Sequence, residues 1–183
     1  VYGVGGPAEW MTGVGKEHLQ SIGMLDYVDV VGLAPYVGSG HDYSTIDQAI
    51  QILNDGMADF PGRVADMKAA ADEAGWRLVG YEGGQHLWAF GDQFNEIGEE
   101  AQGDPRMYDW QKTYMETWKA NGGDEFMVFA SGGGFWGQIP WGVDPMDAPK
   151  YKAHYDFIME NALWWDDPQI EVGIRRSSAE QYT

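Results

Sequence analysis

The chain has 183 residues, 44% of them apolar, and a formal net charge of −18 from eleven basic and twenty-nine acidic side chains. That length suits one domain or part of a larger one, and such acidity excludes partners whose phosphates it would repel, nucleic acids and anionic membrane surfaces alike. No apolar run is long enough to span a bilayer, and the lack of cysteine removes disulfides and thiolate metal sites.

Strand and helix signals alternate along the chain. "VYGVGG" (1–6) reads as the end of a strand and "KEHLQSIGML" (16–25) as a short helix. "YVDVVGLAPY" (27–36) is β-branched and apolar, and Pro35 stops it. "STIDQAIQILNDGMADF" (44–60) opens on a Ser/Thr cap, and the spacing of Ile46, Ala49, Ile50 and Leu53 predicts one apolar helical face. "GRVADMKAAADEAG" (62–75) continues helically after Pro61 and stops at Gly75. "WRLVGY" (76–81) is the next predicted strand. "DPRMYDWQKTYMETWKANGG" (104–123) is a long helix with Pro in its first turn and a glycine pair behind it. "EFMVFA" (125–130) reads as a fourth strand and "APKYKAHYDFIMENAL" (148–163) as a closing helix.

Strands alternating with helices imply a parallel sheet. The segments after the predicted strands are long and those before them short. That asymmetry belongs to α/β enzymes, whose active sites lie at the carboxyl ends of the strands. Four strand–helix units leave two architectures, a small open doubly wound sheet or half of an eight-fold barrel. A dinucleotide or phosphate-loop reading is poor, since "GVGG" at 3–6 matches neither glycine-rich fingerprint.

Nine Trp, ten Tyr and seven Phe are a heavy aromatic load. Many sit beside Gly and Pro, in "GPAEW", "HLWAFG" and "GGGFWGQIPWG". These are loop contexts, open either to a binding surface of rings or to loops packed on a core. Within this pattern "RLVGYEGGQH" (77–86) ends a strand on a carboxylate, Glu82, followed by Gly83 and Gly84. The glycines remove bulk beside the carboxylate and let a ligand approach the backbone. A cap or an ion pair is the structural alternative for Glu82.

"GYEGGQH" resembles the seventh-strand motif of retaining glycoside hydrolases of clan A. "VYGVGGPAEW" is similar to the end of the fifth strand and its loop, "VDVVGLAPYVG" to the sixth strand, and "EFMVFASGGGFWGQIPWG" to the eighth with its loop. The order of the four stretches, over most of residues 1–145, carries the resemblance. It implies an α/β fold that is the C-terminal half, strands five to eight, of a (β/α)8 barrel, as one unit over about 1–160 with a tail over about 161–183. It also implies Glu82 as the catalytic nucleophile and Tyr36 as the hydroxyl that orients it. A carboxylate in that role attacks the anomeric carbon of a glycoside, while a second carboxyl protonates the leaving oxygen. Trp136 and Trp141 are candidates to stack on a sugar face, with Trp10 and Trp88 as weaker ones. His86 and His41 are candidates to bond sugar hydroxyls. For each, a purely structural or incidental role is the alternative.

The acid/base partner is not matched. In the clan it is the Glu of an Asn-Glu pair ending the fourth strand, whereas Asn95-Glu96 here follows the Glu82 strand and reads as surface or helix-start chemistry. Asp42 is a further possible sugar contact. The expectation is therefore that strands one to four lie on sequence before Val1, on a second chain or on a symmetric copy. The tail "WWDDPQIEVGIRRSSAEQYT" has no barrel counterpart. No metal or cofactor site is predicted, since the carboxylates form no compact calcium loop. The expected partner is a poly- or oligosaccharide, and the acidic balance suits a secreted protein. Two rivals remain, a non-catalytic carbohydrate-binding barrel and a structural, self-assembling extracellular protein.

Overall fold

The structure, a computed structural model, describes residues 15–38, 42–87, 92–133 and 136–161, together with the backbone of 3–6. Its elements are strand β1 (Gly3–Gly6), helix α1 (Lys16–Ser21), a 3-10 turn (Leu25–Tyr27), strand β2 (Val30–Leu33), helices α2 (Ile46–Gly56) and α3 (Phe60–Ala74), and strand β3 (Arg77–Gly80). There follow helices α4 (Asp92–Ala101) and α5 (Arg106–Ala120), a 3-10 turn (Pro145–Asp147) and helix α6 (Pro149–Glu160). No described helix is long and apolar enough to cross a membrane.

The three strands form one parallel sheet in the order β1-β2-β3. Val30 pairs with Gly3 on one side and Arg77 on the other, and Leu33 with Gly6 and Gly80. Val31, Leu33 and Leu78 are buried, as strands between two layers require. The helices close as their sequences direct. Thr45 caps α2 by accepting from the Gln48 backbone N–H at 3.2 Å, and the Gln48 side chain accepts from the Ser44 N–H at 2.7 Å. Ala49, Ile50 and Leu53 form the buried face of α2, as their spacing predicts. Gly75 ends α3 in the left-handed conformation, φ +74°.

The middle of the molecule is aromatic. Helix α5 buries Met107, Trp110, Tyr114, Met115 and Trp118. Tyr114 stacks between Phe60 (4.7 Å) and Trp110 (5.3 Å), and Phe126 meets both Tyr114 and Trp118 edge-on. Such pairs add to the burial energy of the rings themselves.

The half-barrel expectation is corrected here. Four strands were expected, and among the described residues the sheet has three, each of four residues. The "EFMVFA" segment makes only one isolated parallel bridge, Phe126 to Gly80. It lies along β3, with the Gly80 N–H donating to Glu125 O (2.9 Å) and the Met127 N–H to Gly80 O (2.8 Å). Arg77 pins its start through Asp124 and Glu125. Beyond Phe126 the side chains of Met127 and Phe129 are exposed. The backbone bonds then pass to other partners, the Phe129 N–H donating to Gly83 O (3.2 Å) and Ala130 O accepting from the Gln138 N–H (2.9 Å), so the β3 ladder is not continued.

The chain also holds a helix where a long loop was expected. Helix α4 runs over Asp92–Ala101, with Ile97 half-buried and Ala101 buried one turn later.

Candidate active site at the strand ends

Strand register brings the two principal residues together. Leu33 pairs with Gly80, and the Tyr81 N–H donates to Leu33 O at 3.0 Å. Pairing resumes at Val37 and Gln85, where the Val37 N–H donates to Gly84 O (3.0 Å) and the His86 N–H to Val37 O (2.7 Å). Between these points the β3 side carries one residue more than the β2 side. The excess swells into the Glu82-Gly83-Gly84 turn, the kind of irregularity that re-aims a side chain next to a site.

Glu82 is half-buried, and it lies near enough to the Tyr36 hydroxyl to act on its ionisation. Burial first, and then the Glu82 charge and hydrogen bond, push the Tyr36 phenol up to about 12. Tyr36 therefore stays protonated at any physiological pH and keeps an O–H to offer beside Glu82. Its backbone is fixed too, with Tyr36 O accepting from Arg63 at 3.3 Å and Pro35 O from the buried Tyr114 hydroxyl at 2.9 Å.

His86 is the next ring out. It meets Tyr36 edge-on at 5.1 Å and Trp136 at 5.8 Å, and Trp136 in turn meets Phe129 at 6.0 Å. Burial lowers the His86 pKa, so the imidazole is neutral near pH 7. Among the described residues its Nδ1 has no hydrogen-bond partner. Glu82, Tyr36, His86 and Trp136 thus form one chain of contacts at the carboxyl ends of β2 and β3.

The two glycines behave differently. A side chain at Gly83 would sit 2.8 Å from Phe126 Cζ and 2.9 Å from the Tyr114 hydroxyl, so this position makes room for the core rather than for a ligand. Gly84, at φ +128°, faces open space. Gly84 is nonetheless buried, so what the second glycine leaves is local space beside the backbone.

Trp141 is 82% exposed, and its ring lies over Gly133. Trp10, Trp88 and His41 lie outside the described residues, as does the tail from residue 162 onwards. Asp42 is exposed. Asn95-Glu96 falls within α4, where Glu96 is exposed, consistent with the helix-start reading. Among the described residues no three His, Asp or Glu side chains converge on a metal position.

Family models, curated proteins and solved structures were each compared with this chain, and none matches it. The argument for function therefore rests on the site.

Sequence reasoning missed two participants. Tyr114 was read only as part of a helix, yet its hydroxyl ties α5 to the loop that carries Tyr36. Helix α6 buries Lys150, Ala153, His154 and Phe157. Their i, i+3, i+4, i+7 spacing is a core stripe in which two positions are basic, and that signal was legible in the sequence.

Proposed function

We propose that the chain carries the nucleophile of a retaining glycoside hydrolase, with Glu82 attacking the anomeric carbon and Tyr36 orienting it. The nearness of the Tyr36 hydroxyl to the Glu82 carboxyl, at the carboxyl ends of adjacent parallel strands, carries this reading. A phenol that stays protonated in this position is placed to hold one carboxylate oxygen during the reaction and leave the other free for attack. The Glu82 oxygen forms a bond to the anomeric carbon, the glycosidic bond breaks, and the leaving oxygen takes the electron pair. Water then hydrolyses the glycosyl ester. His86 and Trp136 flank the pair with a neutral imidazole and an indole, groups suited to a sugar hydroxyl and a sugar face.

A retaining site needs a second carboxyl about 5–5.5 Å away to protonate poor leaving groups. Dinitrophenolate leaves without that help, so 2,4-dinitrophenyl 2-deoxy-2-fluoroglycosides test the nucleophile alone. A panel of gluco, manno, galacto and xylo reagents is incubated with the full chain and followed by intact-mass and peptide mass spectrometry. One reagent is expected to add a single glycosyl group on the peptide carrying Glu82, with dinitrophenolate released in equal amount. Glu82→Gln abolishes both. Labelling at another residue, or no labelling by any reagent, overturns the proposal.

A further inference from the structure

Lys150 stands in the first turn of α6 and is fully buried. A lysine is rarely found so unless its charge is paired. Among the described residues no carboxylate acts on this one, and burial alone sets its ionisation. The charged groups nearby are engaged elsewhere. Asp144 and Asp147, on the turn before α6, are exposed. Tyr108 and Lys112 of α5 bond Asp156 and Glu160, further along α6. His154, one turn on, is the titratable neighbour, and it is neutral near pH 7.

What Lys150 does bond is backbone of the strand-end site. Its Nζ donates to Trp136 O at 3.2 Å, and Gln138 Nε2 reaches the same oxygen at 3.5 Å. The chain on either side of Trp136 is tied to itself. The Gln138 N–H donates to Ala130 O at 2.9 Å, and the Gly133 N–H to Ile139 O at 2.8 Å. A side-chain carbon on Gly137 would stand 2.3 Å from Gly133 O. Lys150 thus links α6 to a closely folded piece of chain whose indole, Trp136, lies 5.8 Å from His86.

The two protonation states of the amine make different demands. The neutral amine donates to the carbonyl and carries no charge to solvate. The ammonium brings three N–H donors, has Trp136 O as its acceptor among the described residues, and lacks a counter-charge. Held in place it is heavily penalised. Turning its long apolar stem towards water removes the penalty and the bond together.

We propose that Lys150 is a positioning residue for the strand-end site: the neutral amine holds the Trp136 carbonyl, and with it the ring beside His86, and protonation releases both. This rests on reading those residues as a sugar site. Burial brings the Lys150 pKa down to about 7, so release falls within the physiological range.

NMR of the 15N-labelled full chain tests the link without reference to catalysis. The Trp136 indole N–H resonance, assigned by its loss in Trp136→Phe, is followed through a pH titration. One ionisation with a midpoint of about pH 7 is expected in the native chain, and none there in Lys150→Met. Any step from His86 lies below pH 6.5 and is common to both. An indole signal that ignores pH in the native chain, or titrates alike in Lys150→Met, overturns the proposal. Kinetics with 2,4-dinitrophenyl glycosides of the gluco, manno, galacto and xylo series give the second reading. At about pH 8, Lys150→Met is expected to raise KM about three- to tenfold with kcat within about twofold. The native KM rises by a similar factor as the pH falls through 7. In a Trp136→Ala background the effect of Lys150→Met on KM disappears. An equal effect with and without the ring overturns the positioning role. Failure of the native chain to turn over any glycoside removes the sugar reading and leaves the indole titration to judge Lys150.

Discussion

The strand-end site and the interior beside α6 are built on opposite principles. At the strand ends the charged group is half-buried beside the Tyr36 hydroxyl, and backbone bonds on both strands fix its place. In the interior beside α6 neutral or weakly charged groups are buried almost completely and partly unpartnered. Trp136 joins the two, its ring against His86 and its carbonyl accepting from Lys150 Nζ at 3.2 Å. The contrast shows two ways to hold polar chemistry in a small fold. One spends register and turn geometry, and the other spends burial, which shifts pKa values.

The sharpest way to break the comparison is Glu82→Gln. It is expected to lower aryl-glycoside turnover by at least about 1,000-fold with little change in melting temperature, since the group is half-buried and the amide is isosteric. Steady-state kinetics beside thermal denaturation read the two effects. A large loss of stability with no effect on turnover would make the strand-end carboxylate a structural group.

Lys150 gives the next largest effect, on stability instead. Burial lowers its pKa from the usual 10.5 to about 7. The unfolded chain therefore holds a proton that the folded chain has lost between about pH 7 and 10.5, so stability rises with pH across that window. Below about pH 7 the cost of a buried ammonium is present in full. Lys150→Met is expected to stabilise by on the order of a few kcal/mol at pH 6. The gain shrinks towards pH 10, and denaturant titrations at several pH values measure it.

His154 adds a limb on the acid side. Burial, with the Lys150 charge behind it, lowers its pKa from 6.5 to about 4. Stability is therefore expected to fall as pH drops from about 6.5 to 4, and His154→Phe flattens that limb of the same titration.

Tyr36→Phe sharpens the strand-end side of the comparison. Removing the hydroxyl beside the proposed nucleophile is expected to slow turnover by about 10–100-fold. The smallest effect belongs to Trp141→Ala. With that ring mostly in solvent, the change in stability is expected to stay within about 0.5 kcal/mol. Polysaccharide pull-down shows whether the exposed indole contributes to binding.

Local signals were legible where local chemistry decides structure. The Thr45 cap, the apolar face of α2, the Gly75 stop and the β2 and β3 runs all follow from short-range pattern. That Tyr36 and Glu82 lie near one another follows from parallel register, which sets neighbouring strand ends side by side; in the sequence it was only what the resemblance implied. The fourth strand was over-read, because "EFMVFA" has strand composition but its backbone bonds divide among Gly80, Gly83 and Gln138 instead of forming one ladder. Gly83 was over-read in another way, since a glycine that admits a ligand and one that admits Phe126 look the same in sequence. Helix α4 was missed because its glycine and its acidic residues masked an apolar spacing through Ile97 and Ala101. The polar stripe of α6 went unread because basic residues at helical spacing usually face solvent.

Gly83 also constrains how this protein can change over evolutionary time. The turn that presents the acidic group rests directly on the stacked rings of the interior, so a single added methyl there would have to displace two of them at once. Exposed loops are free to drift, whereas the perch of this carboxyl group is inherited together with the aromatic interior or lost with it.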